Sequence, residues 1–190
     1  MSETIEIEFK NLLTKVEYEN LLKEFKVKED QIISQTNHYF DTPSFSLKEL
    51  GSALRIREKS GQYEMTLKQP AAVGLLETTQ YITNNEFLDA IKNGILPKGL
   101  IHKRLEQLNI SFTDIVYFGS LSTDRAEFPY KNGLLVLDHS TYLNTEDYEV
   151  EYEVDDYQLG QAAFKELLNQ YSIPLRITPN KIARFYQQKI

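Results

Sequence analysis

With 190 residues, 41% of them hydrophobic and 26% charged, the chain has the composition of an ordinary globular protein, which excludes the disordered and fibrous classes. It contains no cysteine, so disulfides, thiolate nucleophiles and Cys-ligated zinc are excluded, and any metal must be held by oxygen ligands. The formal net charge of -7 opposes non-specific binding to nucleic acid, and no apolar run approaches the roughly 20 residues that cross a bilayer.

No stretch has the composition of a linker, and we therefore expect residues 1–190 to form a single domain. The first ten residues lack the basic start, the apolar block and the cleavage site of a secretion signal. These features predict a cytoplasmic protein with no nucleic-acid partner and no membrane partner. The oligomeric state stays open between a monomer and a homodimer.

The first half of the chain is dominated by strand patterns. In residues 3–10 apolar and charged residues alternate strictly, which predicts a strand with one charged face. Thr14, followed three residues later by Glu17, predicts the N-cap of a helix over 14–25. Further strands are predicted over 31–41, which ends in the turn signal Asp41-Thr42-Pro43, over 52–60 and 62–69, which form a hairpin around Gly61, and over 75–83.

Helical spacing appears in the middle and at the end of the chain. Two helices over 84–93 and 99–108 interrupt the strands, and Gly94 and Pro97 separate them. Strands resume over 115–128, 133–138 and 147–155, and helices are predicted over 157–170 and 180–188.

Several of these strands carry ionised residues on one face and apolar residues on the other. Such a sheet has one dry side and one polar side, and the polar side either faces bulk water or lines the inside of a closed barrel. There is a physical reason to expect closure. An open sheet of about eight strands has edge strands with unpaired backbone groups, and closing the sheet into a barrel pairs them. Inward charges of both signs would need a ligand, with glutamates holding a hard cation and basic residues holding an anion.

Seven short motifs in the sequence resemble those of the CYTH proteins, also called triphosphate tunnel metalloenzymes. The first is Glu-x-Glu-x-Lys at Glu6, Glu8 and Lys10. The others occur in family order, nearly from end to end of the chain, at residues 37–43, 53–57, 66–68, 123–125, 149–153 and 181–185. The resemblance implies an α+β fold, an eight-stranded antiparallel β-barrel that forms a tunnel with a charged interior and has its helices packed on the outside. It also implies Mg²⁺ or Mn²⁺ as cofactor and hydrolysis or cyclisation of triphosphate substrates.

The resemblance also assigns roles to individual residues. The metal ligands it implies are Glu6, Glu8, Asp138, Glu149, Glu151 and Glu153. One metal or two would fit this set. The residues it implies for phosphate binding are Lys10, Arg55, Arg57, Lys68, Arg125, Lys181 and Arg184. Lys10 and Lys68 are counted with the catalytic residues, and Glu149 or Glu151 would orient the attacking water.

Three other sets of residues are not assigned a direct role in the site. Glu77 is either a partner of the site residues or a solvated side chain. Asn37, Tyr39 and Asp41 match a family motif, but we expect them to end a strand and start a turn. The three histidines show no metal-ligand or triad spacing and are expected to be incidental.

The expected reaction is metal-assisted attack of water on the terminal phosphorus of inorganic tripolyphosphate, thiamine triphosphate or a nucleoside triphosphate. One alternative is a class IV adenylate cyclase, in which the 3′-hydroxyl of ATP attacks its own α-phosphorus. The His-Phe pair that precedes the glutamate motif in the cyclase group is missing here, which favours the hydrolase. The other alternative is a module that binds polyphosphate or nucleotide without turnover.

Overall fold

The protein is described by a computed structural model that covers residues 2–189. The eight strands are β1 (Ser2–Leu13), β2 (Ile32–Asp41), β3 (Ala53–Lys59), β4 (Gln62–Pro70), β5 (Leu75–Ile82), β6 (Val116–Tyr130), β7 (Gly133–Tyr142) and β8 (Thr145–Val154). The six helices are α1 (Lys15–Glu24), α2 (Ser46–Glu49), α3 (Asn84–Asn93), α4 (Leu100–Gln107), α5 (Tyr157–Gln170) and α6 (Lys181–Lys189).

Every predicted strand and helix is present, with ends that shift by a few residues. The capping box at α1 is confirmed, because the Thr14 hydroxyl accepts from the Glu17 amide and the Glu17 carboxylate accepts from the Thr14 amide. The hairpin between β3 and β4 turns through Ser60 and Gly61, both with positive φ, as a tight two-residue turn requires. Helix α2 and two short 3₁₀ turns, over 29–31 and 112–114, were not predicted from the sequence.

The strands hydrogen-bond in the order β1-β5-β4-β3-β2-β6-β7-β8 and close into a barrel. This confirms the predicted eight-stranded antiparallel barrel. Among the helices of residues 2–189, none has the length and hydropathy that crossing a membrane requires.

The chain divides into two compact units. Unit 1 comprises Met1–Ile5 and Gln35–Leu121, and unit 2 comprises Glu6–Ser34 and Ser122–Ile190. The boundary falls within β1, β2 and β6, so these three strands contribute residues to both units.

The hydrophobic core of unit 1 lies between its strands and helices α3 and α4. Side chains of alternate strand positions pack there against the helices, including Leu54, Ile56, Met65 and Leu67 from the strands and Phe87, Ala90, Ile101 and Leu105 from the helices. Because successive strand residues point to opposite faces, Arg55, Arg57 and Lys68 lie on the face opposite this core.

The core of unit 2 follows the same logic, with helices α1 and α5 covering one face of β6, β7 and β8. Its fully buried members include Leu21, Leu135, Leu137, Val150, Tyr152 and Leu167. Helix α5 approaches β8 so closely at Gly160 that a Cβ there would lie 2.4 Å from a methyl carbon of Val154. The packing fixes which strand face the helices cover and leaves the alternate residues of β7 and β8 for charged groups.

Candidate functional site

The acidic motifs of β1 and β8 lie side by side in unit 2. The two strands are antiparallel neighbours, with Glu8 opposite Glu153 and Lys10 opposite Glu151. On the other side of β8, Glu149 is opposite Asp138 of β7. Since directly paired residues project to the same face, the register gathers these charges on the face that the helices leave uncovered.

Three of the glutamates form a set that suits a metal ion. Glu6, Glu8 and Glu153 are half-buried, and each offers a carboxylate oxygen within 4.8 Å of the others. Burial, together with the negative charge of Glu6, raises the pKa of Glu153 to about 7, even though Arg125 acts in the opposite direction. These three carboxylates repel one another and offer only oxygen donors. Such a set fits Mg²⁺ or Mn²⁺, which favour oxygen ligands.

The other three predicted metal ligands surround an ammonium group of the protein itself. Lys181, the first residue of α6, places its Nζ 2.8 Å from a carboxylate oxygen of Asp138, 2.9 Å from Glu149 and 2.5 Å from Glu151. Burial opposes the charge on Lys181, yet these carboxylates outweigh it and hold the pKa of the ammonium well above its usual range. Asp138 and Glu149 are both almost completely buried.

Arg125 of β6 completes this ionic cluster from another side. Its Nε and Nη2 donate to the two oxygens of Asp138 over 2.8 and 2.6 Å, and Nη2 also donates to Glu151 over 2.7 Å. Burial of Glu151 favours its neutral form, but Lys181 and Arg125 prevail and lower the pKa of the carboxyl well below its usual range. The two-pronged contact fixes the plane of Arg125.

Glu149 differs from Glu151 in both its bonding and its acidity. Only Oε2 of Glu149 is bonded, at 2.7 Å to Arg184 and 2.9 Å to Lys181, whereas its buried Oε1 has no partner among residues 2–189. Burial raises the pKa of Glu149, with Lys181 opposing this effect and the negative charge of Glu151 adding to it. A buried carboxylate with one unbonded oxygen and a raised pKa is suited to accept a proton.

Arg184, one turn further along α6, has each of its three nitrogen atoms bonded. Nε and Nη2 donate to Asp147, Nη1 donates to the carbonyl of Pro179 over 2.6 Å, and Nη2 also reaches Glu149. The hydroxyl of Tyr142 donates to the same Asp147 carboxylate. Arg184 therefore anchors α6 to β8.

The segment before α6, residues 173–180, has no regular secondary structure, and the residues that hold it in place were not predicted. The amide of Arg176 donates to the side chain of Asn11, and the Arg176 guanidinium contacts both oxygens of Glu17. Asn180 accepts from Lys10 over 2.5 Å, and Lys10 also donates to Glu8 over 2.5 Å. Only the buried asparagine, an unusual residue within an otherwise alternating strand, signalled this arrangement in the sequence.

Unit 1 brings together a second group of charges, of mainly positive sign. Lys68 of β4 lies opposite Glu77 of β5, and their charged atoms are 2.6 Å apart. Burial raises the pKa of Glu77, but Lys68 and then Arg55 and Arg57 outweigh it, so the pKa of the carboxyl is lowered. Glu77 is thus a partner of the predicted phosphate-binding residues, which decides between its two interpretations.

This basic group retains capacity for an anion. The Nε of Arg55 is buried without a hydrogen-bond partner within the described part of the chain, and Arg57 donates to Asn37 over a long 3.4 Å. Asp41, by contrast, accepts from the backbone amides of residues 42, 47 and 48 at the start of α2. The expectation that Asp41 ends a strand and starts a turn is confirmed, whereas Asn37 contacts a site residue.

The predicted site residues therefore fall into two groups. Unit 2 contains Glu6, Glu8, Lys10, Arg125, Asp138, Glu149, Glu151, Glu153, Lys181 and Arg184. Unit 1 contains Arg55, Arg57 and Lys68.

Comparison with known proteins agrees with the resemblance seen in the sequence. The family model described as CYTH domain matches residues 4–186. A Bacillus subtilis (strain 168) protein named "Putative triphosphatase YjbK" is 51% identical over 189 residues, which span 100% of this chain and 98% of that protein.

Solved structures show the same fold. The crystal structure of a Bacillus halodurans protein called "a putative adenylate cyclase (bh2851)" superposes with a TM-score of 0.95 at 42% identity, over 98% of this chain and 100% of that one. HpAC1 from Hippeastrum, described as a "putative adenylyl cyclase" with "a dominant triphophatase activity", has a TM-score of 0.81 at 23% identity and covers 98% of this chain and 97% of its own.

Proposed function

The chain belongs to the CYTH domain family, and from this premise we propose that it is a divalent-metal-dependent triphosphatase. The observation that carries the proposal is the group of Glu6, Glu8 and Glu153, whose carboxylate oxygens lie within 4.8 Å of one another. The name of the Bacillus subtilis relative supports the same reaction class.

Mg²⁺ or Mn²⁺ is the cofactor that this group would hold. Three glutamate side chains supply hard oxygen ligands, and a cation there would offset the repulsion that raises the pKa of Glu153. Once bound, the ion supplies Lewis acidity to the phosphoryl oxygens and so stabilises the charge that develops during phosphoryl transfer.

In unit 1, we assign phosphate binding to Arg55, Arg57 and Lys68. The buried Nε of Arg55 has no hydrogen-bond partner among residues 2–189 and is an N–H donor close to Lys68 and Arg57 on the same face of the strands. Arginine presents a planar fork to phosphoryl oxygens, and lysine acts as a mobile point charge.

In unit 2, Lys10 and Arg125 are assigned to phosphate as well. Lys10 uses two of its three N–H donors on Glu8 and Asn180. Arg125 donates to carboxylates through Nε and Nη2, and the hydrogen bonds among residues 2–189 do not include its Nη1. The sequence also predicted that Lys181 and Arg184 bind phosphate. Their donors lie on carboxylates and a carbonyl, so that assignment has less support.

Glu149 is the residue to which we assign the proton of the attacking water. Its Oε1 would accept that proton while the water oxygen forms a bond to the terminal phosphorus and the bond from phosphorus to the bridging oxygen breaks. Glu151 was the other candidate, but both of its oxygens are bonded, to Lys181 and to Arg125. The products are inorganic phosphate and the shortened substrate.

The substrate is proposed to be a small triphosphate, with inorganic tripolyphosphate, thiamine triphosphate and nucleoside triphosphates as the candidates. We further propose that the protein acts in the cytoplasm without a nucleic-acid or membrane partner. An adenylate cyclase is the second candidate function, favoured by the name of the 42% identical Bacillus halodurans protein.

A panel assay tests the proposal. Phosphate and cyclic AMP are measured from tripolyphosphate, thiamine triphosphate, ATP and GTP, with Mg²⁺ and with Mn²⁺. Metal-dependent phosphate release supports the triphosphatase and ranks its substrates. Cyclic AMP from ATP would replace it by the cyclase, and binding without any product would leave a binding module.

A further inference from the structure

Gln35 is a buried polar residue of β2 that neither the sequence nor the site described above accounts for. The residue is 4% exposed, and its side-chain Oε1 has no hydrogen-bond partner in the described part of the chain. A buried carbonyl oxygen without a donor has lost its hydrogen bonds to water and gained none in return, which destabilises the folded protein. The missing donor must therefore come from another molecule.

The strand register places Gln35 on the face of unit 1 that carries the phosphate-binding arginines. In the β2–β3 ladder Gln35 is opposite Lys59, and the next pair on the same face is Asn37 with Arg57. Directly paired residues project to the same face, and so do residues two apart along one strand. Phe40, at an alternate position of β2, packs in the hydrophobic core on the other face instead.

The hydrogen-bonding character of this face changes along the strands. At Arg55 the face offers a buried N–H donor, which suits the ionised oxygen of a phosphate. At Gln35 it offers an acceptor that the protein leaves unbonded. The oxygens of an ionised phosphate chain are themselves acceptors, so they cannot bond to this atom. A ligand group that carries N–H or O–H is required.

The spacing suits a ligand that has both kinds of group. Arg55 is opposite Tyr39, which is four residues from Gln35, or about 13 Å along an extended strand. A triphosphate held at the arginines would therefore have Gln35 beyond it, where a group attached to the phosphates can lie.

We propose that Gln35 determines specificity by accepting a hydrogen bond from an amino or hydroxyl group in the organic part of a triphosphate ester. The inference rests on the proposed function, because it takes the arginines as the phosphate site. Nucleoside triphosphates and thiamine triphosphate carry such donors, whereas ionised inorganic tripolyphosphate has none. Gln35 thus favours an organic triphosphate over the inorganic one.

The test is the ratio between the values measured for an organic and for the inorganic triphosphate, with Mg²⁺ present throughout. ATP, thiamine triphosphate and tripolyphosphate are compared by kcat/KM where they are hydrolysed, and by Kd from isothermal titration calorimetry where they are not. Gln35→Met keeps the length of the side chain but replaces its amide by a thioether, a much weaker acceptor. The ratio for at least one of the two organic triphosphates should fall about ten-fold in this variant.

Gln62→Met is the matched control. Gln62 is opposite Lys59 from the β4 side of the same ladder, but its side chain is exposed. The ratios should therefore stay at their wild-type values in this variant. Circular dichroism checks that each variant folds. Gln35→Asn withdraws the amide by one methylene while keeping the residue polar, and it should lower the same ratio if Gln35→Met does not fold.

An analogue without the donor tests the hydrogen bond itself. If ATP is the substrate that responds, its analogues are purine riboside triphosphate, which lacks the amino group, and the deoxyribose forms, which each lack one hydroxyl. The analogue that lacks the donor should behave alike with wild type and with Gln35→Met. A ten-fold difference that persists for every analogue would overturn the assignment.

Failure of this inference and failure of the proposed function look different. Unchanged ratios in Gln35→Met, together with metal-dependent phosphate release, would overturn the role of Gln35 and leave the triphosphatase standing, with a water molecule as the donor to Oε1. A fall in the Kd ratio without product from any triphosphate would contradict the enzyme and support the role of Gln35. Absence of both binding and turnover would contradict the two together.

Discussion

Lys68 and Glu77 face each other across the β4–β5 ladder with their charged atoms 2.6 Å apart. Glu77 thereby neutralises part of a group whose other members, Arg55 and Arg57, also lower the pKa of its carboxyl. An anion that binds to these cations competes with the carboxylate for them. Glu77 therefore sets how strongly unit 1 attracts phosphate.

Replacement of this carboxylate by an amide tests that competition. Glu77→Gln should bind tripolyphosphate about ten-fold more tightly, because one nearby negative charge is removed while the shape of the side chain is kept. Isothermal titration calorimetry measures the change, and Lys68→Gln should weaken binding instead. Weaker binding by Glu77→Gln would mean that the carboxylate serves mainly to hold Lys68 in place.

The metal ligands can be tested without disturbing the strands. Glu6→Gln changes charge and ligation but little else, so metal-dependent phosphate release should be lost while the melting temperature stays close to that of the wild type. The matched control is Glu166→Gln on α5, whose carboxylate pairs with Lys131 on the surface. Full activity in Glu6→Gln would contradict its assignment as a ligand.

Without metal, the ionised carboxylate of Glu153 is expected to lower the free energy of unfolding. The pKa of its carboxyl, about 7 in the folded protein, lies above the ordinary value of 4.5, so between these pH values the folded state holds a proton that the unfolded state has released. Stability therefore falls as pH rises from about 4.5 to 7. With a chelator present, Glu153→Gln should be more stable than the wild type at pH 8, by roughly 1–3 kcal/mol, and the difference should vanish at low pH.

Chemical denaturation across a pH series measures this difference. An added divalent metal should reverse the order, since only the wild type retains the third glutamate ligand. Equal stability of the two proteins at pH 8 without metal would show that ionisation of the Glu153 carboxyl does not lower the free energy of unfolding.

The contribution of Glu17 to stability has the opposite dependence on pH. Contact with Arg176, together with its bonds at the α1 N-terminus, lowers the pKa of its carboxyl despite partial burial. Its stabilising effect is thus fully present above the unfolded pKa and is lost as pH falls through the lower, folded value. Glu17→Gln should cost about 1 kcal/mol at pH 7 and much less near pH 2.

Thermal or urea unfolding at the two pH values checks the prediction. Glu24→Gln, in the last turn of the same helix, is the control and should change stability little at either pH. A cost for Glu17→Gln that does not depend on pH would assign the effect to packing of the side chain rather than to its charge.

Much of the fold was readable from local patterns. Strict alternation in β1 and the Thr14–Glu17 pair at α1 each depend on residues close in sequence, and both are confirmed. Helix α2 was not predicted because it has only four residues. Its start is held by the side chain of Asp41, which lies at the end of the preceding strand. Periodicity cannot reveal an element of one turn.

The resemblance named candidate site residues, but it could not give the pairing among them. It implied metal binding for six carboxylates and phosphate binding for seven basic residues. The structure shows in addition that Lys181 pairs with Asp138, and Arg184 with Glu149, across long sequence separations. The bond between Asn11 and Arg176 spans 165 residues, and only the folded backbone brings such partners together.

The contacts of α6 also bear on the biosynthesis of the protein. The strands that carry Asp138, Glu149 and Glu151 leave the ribosome before the helix that supplies Lys181 and Arg184. During that interval Arg125 is bonded to Asp138 and Glu151 without the two charges of α6, so burying all three carboxylates would leave excess negative charge at a large electrostatic cost. Final closure of unit 2 is therefore expected to wait until α6 has been synthesised, which makes this ionic cluster a late step in folding on the ribosome.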